Sequence, residues 1–153
     1  MVRRGLTPDE PVDQASAVVL DTRALFWLLQ GSDRLGLVAR ALIEAAAIGG
    51  GALVAAISAW EIAMLVAKGR LALDRDVGGW VDAALALPGL RLAPLDPAVS
   101  VDSTRLPGEP HGDPADRMIV ATARRHAATL ITDDAQVLAY STAGHVKAHR
   151  AAA

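Results

Sequence analysis

Short apolar runs alternate with longer amphipathic segments along most of the 153-residue chain. Five runs have the length and composition of buried or edge strands, namely 17–21, 52–58, 90–95, 128–132 and 145–150. The segments 22–30, 34–47, 58–69, 77–87, 113–125 and 133–141 have the period of amphipathic helices. Strands that alternate with helices are typical of a parallel sheet covered on both faces. The pattern therefore predicts an α/β fold, with a three-layer α/β/α arrangement around a central parallel sheet.

The ends of the chain lack this alternation. Residues 1–16 contain two prolines and no apolar period, so we expect a flexible N-terminal extension followed by one domain over 17–150. The last three alanines are expected to form a tail. The longest uncharged stretch, Ala45 to Trp60, is short and interrupted by three glycines, which indicates a core segment and no membrane span. With no readable signal peptide, a cytoplasmic location is expected.

Composition narrows the chemistry. The chain has no cysteine, which excludes thiolate nucleophiles and thiolate zinc sites and fits a reducing compartment. Its formal net charge of −2 offers none of the overall basic excess of a dedicated nucleic-acid binder. Contact with a polyanion would therefore require local arginines or a bound cation.

Acidic residues stand where the predicted strands end and helices begin, and parallel strands bring these points to one edge of the sheet. The set comprises Asp21, Glu61, Asp113, Asp116, Asp133 and Asp134. Helix capping is the simplest explanation for most of them. Ser58 with Glu61 reads as a capping box, Asp113 before Pro114 as an N-cap, and Asp133 as a cap of the last helix. Asp21 fits capping less well, although it too could cap the following helix.

Capping does not explain why so many carboxylates share one edge. Several carboxylates at close range cannot all stay ionised without a cation between them. Mg²⁺ or Mn²⁺ would meet this need, since both prefer oxygen ligands and bind phosphate oxygens. The acidic edge therefore predicts phosphoryl chemistry, with hydrolysis of a phosphodiester as the natural reaction.

Four blocks of sequence resemble the PIN-domain ribonucleases, and among them the VapC toxins of bacterial toxin–antitoxin systems. The blocks are VVLDTRALFWLL, ISAWEIAMLVAKGRLAL, HGDPADRMIVATA and LITDD, in that order, within Val18 to Val146. Relatives commonly carry a lysine four residues after the glutamate, where this chain has Leu65.

The resemblance implies a PIN fold and an endoribonuclease that depends on Mg²⁺ or Mn²⁺ and hydrolyses RNA with a metal-activated water. By motif, the catalytic and metal-binding residues would be Asp21, Glu61, Asp116 and Asp134. It also implies a homodimer and inhibition by a cognate VapB-like antitoxin that inserts a peptide near the active site.

Other residues are candidates for lesser roles. Supporting roles are assigned to Asp113, Thr22, Thr132, Arg23 and Arg117, with Arg23 favoured as a phosphate contact. His111 is interpreted as a solvated loop histidine, with metal binding as the alternative. Core packing is expected for Trp27, Trp60 and Trp80, and Trp27 is also a candidate for an antitoxin groove.

Two other function classes remain open. A non-catalytic PIN-like binding module would keep the fold and lose carboxylates, whereas all four are present here. A phosphoacceptor receiver-like regulatory domain would need an aspartate after the third strand and a lysine near the last strand. Asp96 and Lys147 fill those places poorly.

Overall fold

The computed structural model describes residues 17–153, which form a five-stranded parallel sheet between two layers of helices. This confirms the predicted fold class. The extension predicted for residues 1–16 lies outside the described residues. The strands are β1 (Val18–Leu20), β2 (Ala52–Ala55), β3 (Leu90–Ala93), β4 (Thr129–Thr132) and β5 (Lys147–Arg150). The helices are α1 (Thr22–Gln30), α2 (Leu37–Ile48), α3 (Ala56–Ala67), α4 (Val77–Leu85), α5 (Pro97–Ser103), α6 (Pro114–Arg125) and α7 (Ala135–Thr142).

The order of strands across the sheet is β3-β2-β1-β4-β5. The chain therefore moves outward from β1 to β3 on one side, then crosses back to place β4 on the other side of β1. In open parallel sheets, ligands bind in the crevice where this reversal occurs, outside the carboxyl ends of the strands. Here that crevice lies between the ends of β1 and β4, which are paired through Leu20 and Ile131.

Alternation along the strands divides the core between the two faces of the sheet. Val18 and Leu20 pack with α1, α2 and α4 on one face, whereas Val19 packs with α6 and α7 on the other. All three are buried, as expected for a central strand covered on both sides. Burial on both faces holds β1 rigidly, and Asp21 comes directly after it.

The boundary between β2 and α3 differs from the prediction. The strand ends at Ala55 and the helix begins at Ala56, so Ser58 lies inside the first turn of α3. The capping-box interpretation is wrong, because the N-cap is Ala55 and no side chain caps this helix. An apolar run such as ALVAAIS shows no period that separates a buried strand from a buried helix.

Helix α5 and the exposure of Trp60 also differ from the sequence-based expectation. Helix α5 was not predicted, yet Pro97 begins it and Asp96 caps it by accepting from the Val99 amide at 2.9 Å. Trp60 is 54% exposed, whereas Trp27 and Trp80 are buried as predicted. Helix α3 is apolar on nearly every side, so its pattern does not reveal which face is covered.

The C-terminal residues are packed against the domain, which corrects the predicted tail. Ala151 is fully buried, and Ala152 forms an antiparallel bridge with Leu35. Asp133 accepts hydrogen bonds from the amides of Ala151 and Ala152 at 3.0 and 2.9 Å. The carboxylate thus anchors the end of the chain, and Asp133 does not cap the last helix.

Candidate functional site

A cleft of about 670 Å³ opens at the carboxyl edge of the sheet, where the strand order reverses. Its acidic lining comprises Asp21, Glu61, Asp116, Asp133 and Asp134. The four predicted catalytic residues therefore line one cleft, although they belong to four separate parts of the chain. Thr22 and Arg23 line the same cleft, whereas Asp113, Arg117 and Thr132 lie outside its lining.

Asp21 both caps a helix and faces the cleft. It is the N-cap of α1, and its Oδ1 accepts from the Ala24 amide at 2.8 Å. Burial raises the pKa of Asp21, and a hydrogen bond from the Thr132 hydroxyl acts in the opposite direction. Because a carboxylate has two oxygens, capping leaves acceptor capacity for a ligand in the cleft.

Asp134 is held in the same way at the end of β4. Its Oδ1 accepts from the amides of Gln136 and Val137 at 2.9 and 3.0 Å, which caps α7. Its own amide donates to the Thr132 hydroxyl at 3.0 Å. Thr132 also lowers the pKa of Asp21, so this one buried side chain acts on both aspartates across the reversal point.

Glu61 reaches the cleft from α3. The Thr22 hydroxyl donates to its Oε1, and the Ser58 hydroxyl lies 3.0 Å from Thr22 Oγ1. Burial raises the pKa of Glu61, although the Thr22 hydrogen bond opposes this rise and the charge of Asp113 adds to it. Ser58 is fully buried, so its role is to hold Thr22 and through it the carboxylate.

The two aspartates of HGDPADR divide between capping and the cleft. Asp113 is the N-cap of α6, Pro114 follows at the first helical position, and Asp113 Oδ2 accepts from the Asp116 amide at 3.0 Å. Asp113 is exposed, whereas Asp116 points into the cleft. Burial and the charges of Asp113, Glu61 and Asp134 raise the pKa of Asp116 to about 7, against an opposing effect of His111.

The prediction that His111 is solvated is wrong. Its side chain is 14% exposed, and Nε2 lies 3.1 Å from Asp134 Oδ2 and 3.4 Å from Asp116 Oδ2. Ligand atoms of His111, Asp116 and Asp134 all lie within 4.8 Å of one another, an arrangement compatible with a divalent cation. This contact was missed because His111 and Asp134 are 23 residues apart in sequence.

Arginines line the cleft beside the carboxylates. They are Arg23, Arg34 and Arg70, of which only Arg23 was singled out from the sequence. The Arg23 guanidinium lies 5.9 Å from the centroid of the Trp27 ring. Arg117 is directed elsewhere: its Nε donates to the Ser103 carbonyl at 3.0 Å, joining α6 to α5.

Comparison with known proteins identifies the family to which this domain belongs. A family model described as the PIN domain matches residues 18–142. The chain belongs to the PIN-domain family. Ribonuclease VapC22 of Mycobacterium tuberculosis is 34% identical over 119 residues, which covers 78% of this chain and 88% of that protein. The predicted family is confirmed.

Solved structures agree on the PIN fold. A chain in the crystal structure of VapBC2 from Rickettsia felis, bound to a promoter DNA fragment, superposes with a TM-score of 0.63 and 16% identity. It covers 88% of this chain and 98% of that one. A chain in FitAcB from Neisseria gonorrhoeae gives a TM-score of 0.59 at 22% identity and covers 86% and 95%.

The receiver-like alternative finds no support in a PIN domain of this geometry. The Asp96 carboxylate is engaged in capping α5. Lys147 begins β5 and so lies at the amino end of the sheet, opposite the acidic cleft.

Among residues 17–153, no helix is long and apolar enough to cross a membrane.

Proposed function

We propose that this PIN domain is a metal-dependent endoribonuclease that acts as the toxin of a toxin–antitoxin pair. The observation that carries the proposal is the convergence of Asp21, Glu61, Asp116 and Asp134 on one cleft. The identity to a relative named as a ribonuclease supports RNA as the substrate.

The donor set fits a hard divalent cation. The four carboxylates supply oxygen ligands, and burial together with the charges of Asp113, Glu61 and Asp134 raises the pKa of Asp116 to about 7, so the ionised site favours added positive charge. We assign Asp21, Glu61, Asp116 and Asp134 to hold Mg²⁺ or Mn²⁺. When bound, such a cation activates water and offsets the negative charge that develops on the phosphate.

The rest of the chain's contribution is positioning. Thr132 holds the Asp134 amide at the start of α7 and lowers the pKa of Asp21, and Thr22 holds Glu61. Arg23 lies on the exposed rim of the cleft, where its guanidinium can contact a phosphate oxygen of the substrate. The RNA backbone would thus meet a basic rim above an acidic floor that requires a cation.

The test is cleavage of RNA by purified protein that has been separated from any antitoxin. Total RNA is incubated with the protein and Mg²⁺ or Mn²⁺, and the new ends are mapped. We expect internal cuts at reproducible sites. An enzyme that removes nucleotides only from RNA ends, or that leaves RNA intact with either metal, would contradict the proposal.

Replacing Arg23 with glutamine is expected to weaken RNA binding by roughly 3- to 10-fold. The slope of log affinity against log salt concentration should become shallower by about one, the amount expected for one lost phosphate contact. Binding is measured in an Asp116→Asn background, so that the RNA stays intact, at several salt concentrations. Arg75→Gln is the matched control, because Arg75 pairs with its neighbour Asp74 and lies outside the cleft lining. Equal effects of the two variants would remove Arg23 from the substrate path.

The antitoxin proposal rests on the apolar part of the same cleft. Phe26, Trp27, Leu65 and Leu71 line it together with the carboxylates. A partner segment with apolar anchors and one basic residue would fit this combination. Titration with the product of the neighbouring gene should give a stable complex with suppressed cleavage, and light scattering of the free protein should give the mass of a homodimer. A protein that remains monomeric and does not bind that gene product would contradict both proposals.

A further inference from the structure

His111 occupies the space between two carboxylates of the proposed cation site. It lies in the loop between α5 and α6, and its largely buried side chain places Nε2 3.1 Å from Asp134 Oδ2. Asp116 Oδ2 lies slightly farther away, at 3.4 Å. A nitrogen in this position either donates a proton to the carboxylates or offers a lone pair to a metal, and the two roles exclude each other.

The other ring nitrogen decides between these roles. His111 Nδ1 lies 2.9 Å from the backbone amide of Asp113, and this amide donates to it. An amide N–H is only a donor, so Nδ1 must present its lone pair. A neutral imidazole then carries its single proton on Nε2, which faces Asp134 and Asp116. If Nε2 bound a metal, the proton would have to move to Nδ1. There it would face the Asp113 N–H and break the hydrogen bond between them.

Among residues 17–153, no other residue donates a hydrogen bond to the two oxygens that His111 contacts, Asp134 Oδ2 and Asp116 Oδ2. Asp134 Oδ1 is occupied by the two amides that cap α7, which leaves Oδ2 to the imidazole. The Asp113 carboxylate holds the Asp116 amide, while the Asp113 amide holds His111. The segment from His111 to Asp116 is therefore held together by its own hydrogen bonds, and the His111 imidazole links it to Asp134 at the end of β4.

We propose that His111 is a positioning residue and not a metal ligand: the Asp113 amide fixes its Nε2–H tautomer, which orients the oxygens of Asp134 and Asp116 for a divalent cation. The identity of the ion as Mg²⁺ or Mn²⁺ rests on the proposed function. The cation site is then made of oxygen ligands alone. Hydrogen bonds to ligating carboxylates commonly change metal affinity by about 10- to 100-fold.

The tautomer is measured directly by long-range ¹H–¹⁵N NMR of the histidine rings, in metal-free protein and after saturation with Mg²⁺. We expect the Nε2–H pattern for His111 in both states. Loss of the Nε2 proton on Mg²⁺ binding would overturn the proposal. So would a directly coupled ring nitrogen in the electron spin echo of the Mn²⁺ complex.

Calorimetry of Mg²⁺ and Mn²⁺ binding gives a second, independent measurement. His111→Ala should weaken affinity by about 10- to 100-fold, and His111→Gln, whose amide can donate from the same position, should recover most of the loss. His126→Gln, at the opposite end of α6, is the matched control and should bind as the wild type does. Unchanged affinity in His111→Ala would overturn the positioning role.

These measurements separate the proposal from the proposed function. Protein that binds Mg²⁺ with the expected tautomer and cleaves no RNA would contradict the nuclease function and uphold the role of His111. Protein that cleaves RNA while His111 ligates the metal would uphold the nuclease function and contradict the positioning role of His111. Absence of binding by both metals would overturn the two together.

Discussion

Asp116→Asn is expected to reduce metal-dependent RNA cleavage by at least about 100-fold, because it removes a proposed charged ligand of the cation while preserving the shape of the side chain. Asp116 lies in the cleft beside the carboxylates whose charges raise its pKa. Cleavage is measured as a single-turnover rate at saturating Mn²⁺, with the melting temperature of each variant as a check on folding.

Asp113→Asn is the matched control for this prediction. The Asp113 carboxylate caps α6 from an exposed position, and asparagine caps a helix about as well as aspartate. We therefore expect its cleavage rate to stay within about threefold of wild type. An inactive Asp113→Asn beside an active Asp116→Asn would reverse the assignment of the two aspartates.

The second large effect is on the stability of the metal-free protein. The pKa values of Asp21, Glu61 and Asp116 are raised in the fold, foremost by burial. A raised pKa means that the folded state binds protons more tightly than the unfolded chain, so ionisation of these groups costs stability. For Asp116 the cost is absent below pH 4, grows as the pH rises towards about 7, and is complete above it.

Asp116→Asn should consequently be more stable than the wild type at pH 8 in EDTA, by about 2 kcal/mol or roughly 5 °C in melting temperature. The difference should shrink towards zero near pH 4 and reverse in excess Mg²⁺, which stabilises only the protein that binds it. Calorimetric scans across this pH range make the comparison. Asp82→Asn, an exposed position on α4, should show no such trend. A constant difference between wild type and Asp116→Asn at all pH values would contradict the electrostatic account.

The sequence predicts this fold well because its signals are local and consistent. Strand β1 is a short apolar run buried on both faces, and Asp113 with Pro114 marks the start of α6 to the residue. These features place Asp21 and Asp134 at one edge before any coordinates are known.

Capping and a position in the cleft, in contrast, are not alternatives for these carboxylates. Asp21 and Asp134 cap α1 and α7 while lining the cleft, because one carboxylate serves both purposes. Among the acidic residues predicted at this edge of the sheet, Asp113 caps a helix without lining the cleft. Local sequence patterns report the use of one oxygen and carry no information about the other.

What could not be predicted depends on contacts between distant segments. His111 meets Asp134 only because the loop before α6 folds back over the end of β4. Asp133 resembles a helix cap in the sequence and instead binds the amides of Ala151 and Ala152. Ser58 changes from a cap to a buried support of Thr22 through a shift of two residues in the start of α3.

The most direct test of the central claim is RNA cleavage by protein stripped of metal with EDTA and then given back Mg²⁺ or Mn²⁺. We propose that the acidic cleft holds the cation on which the hydrolysis depends, so we expect no cleavage in EDTA, restored cleavage with either ion, and no restoration in Asp116→Asn. A defined labelled RNA and antitoxin-free protein make the rates comparable. Cleavage that continues unchanged in EDTA would contradict the metal-dependent mechanism.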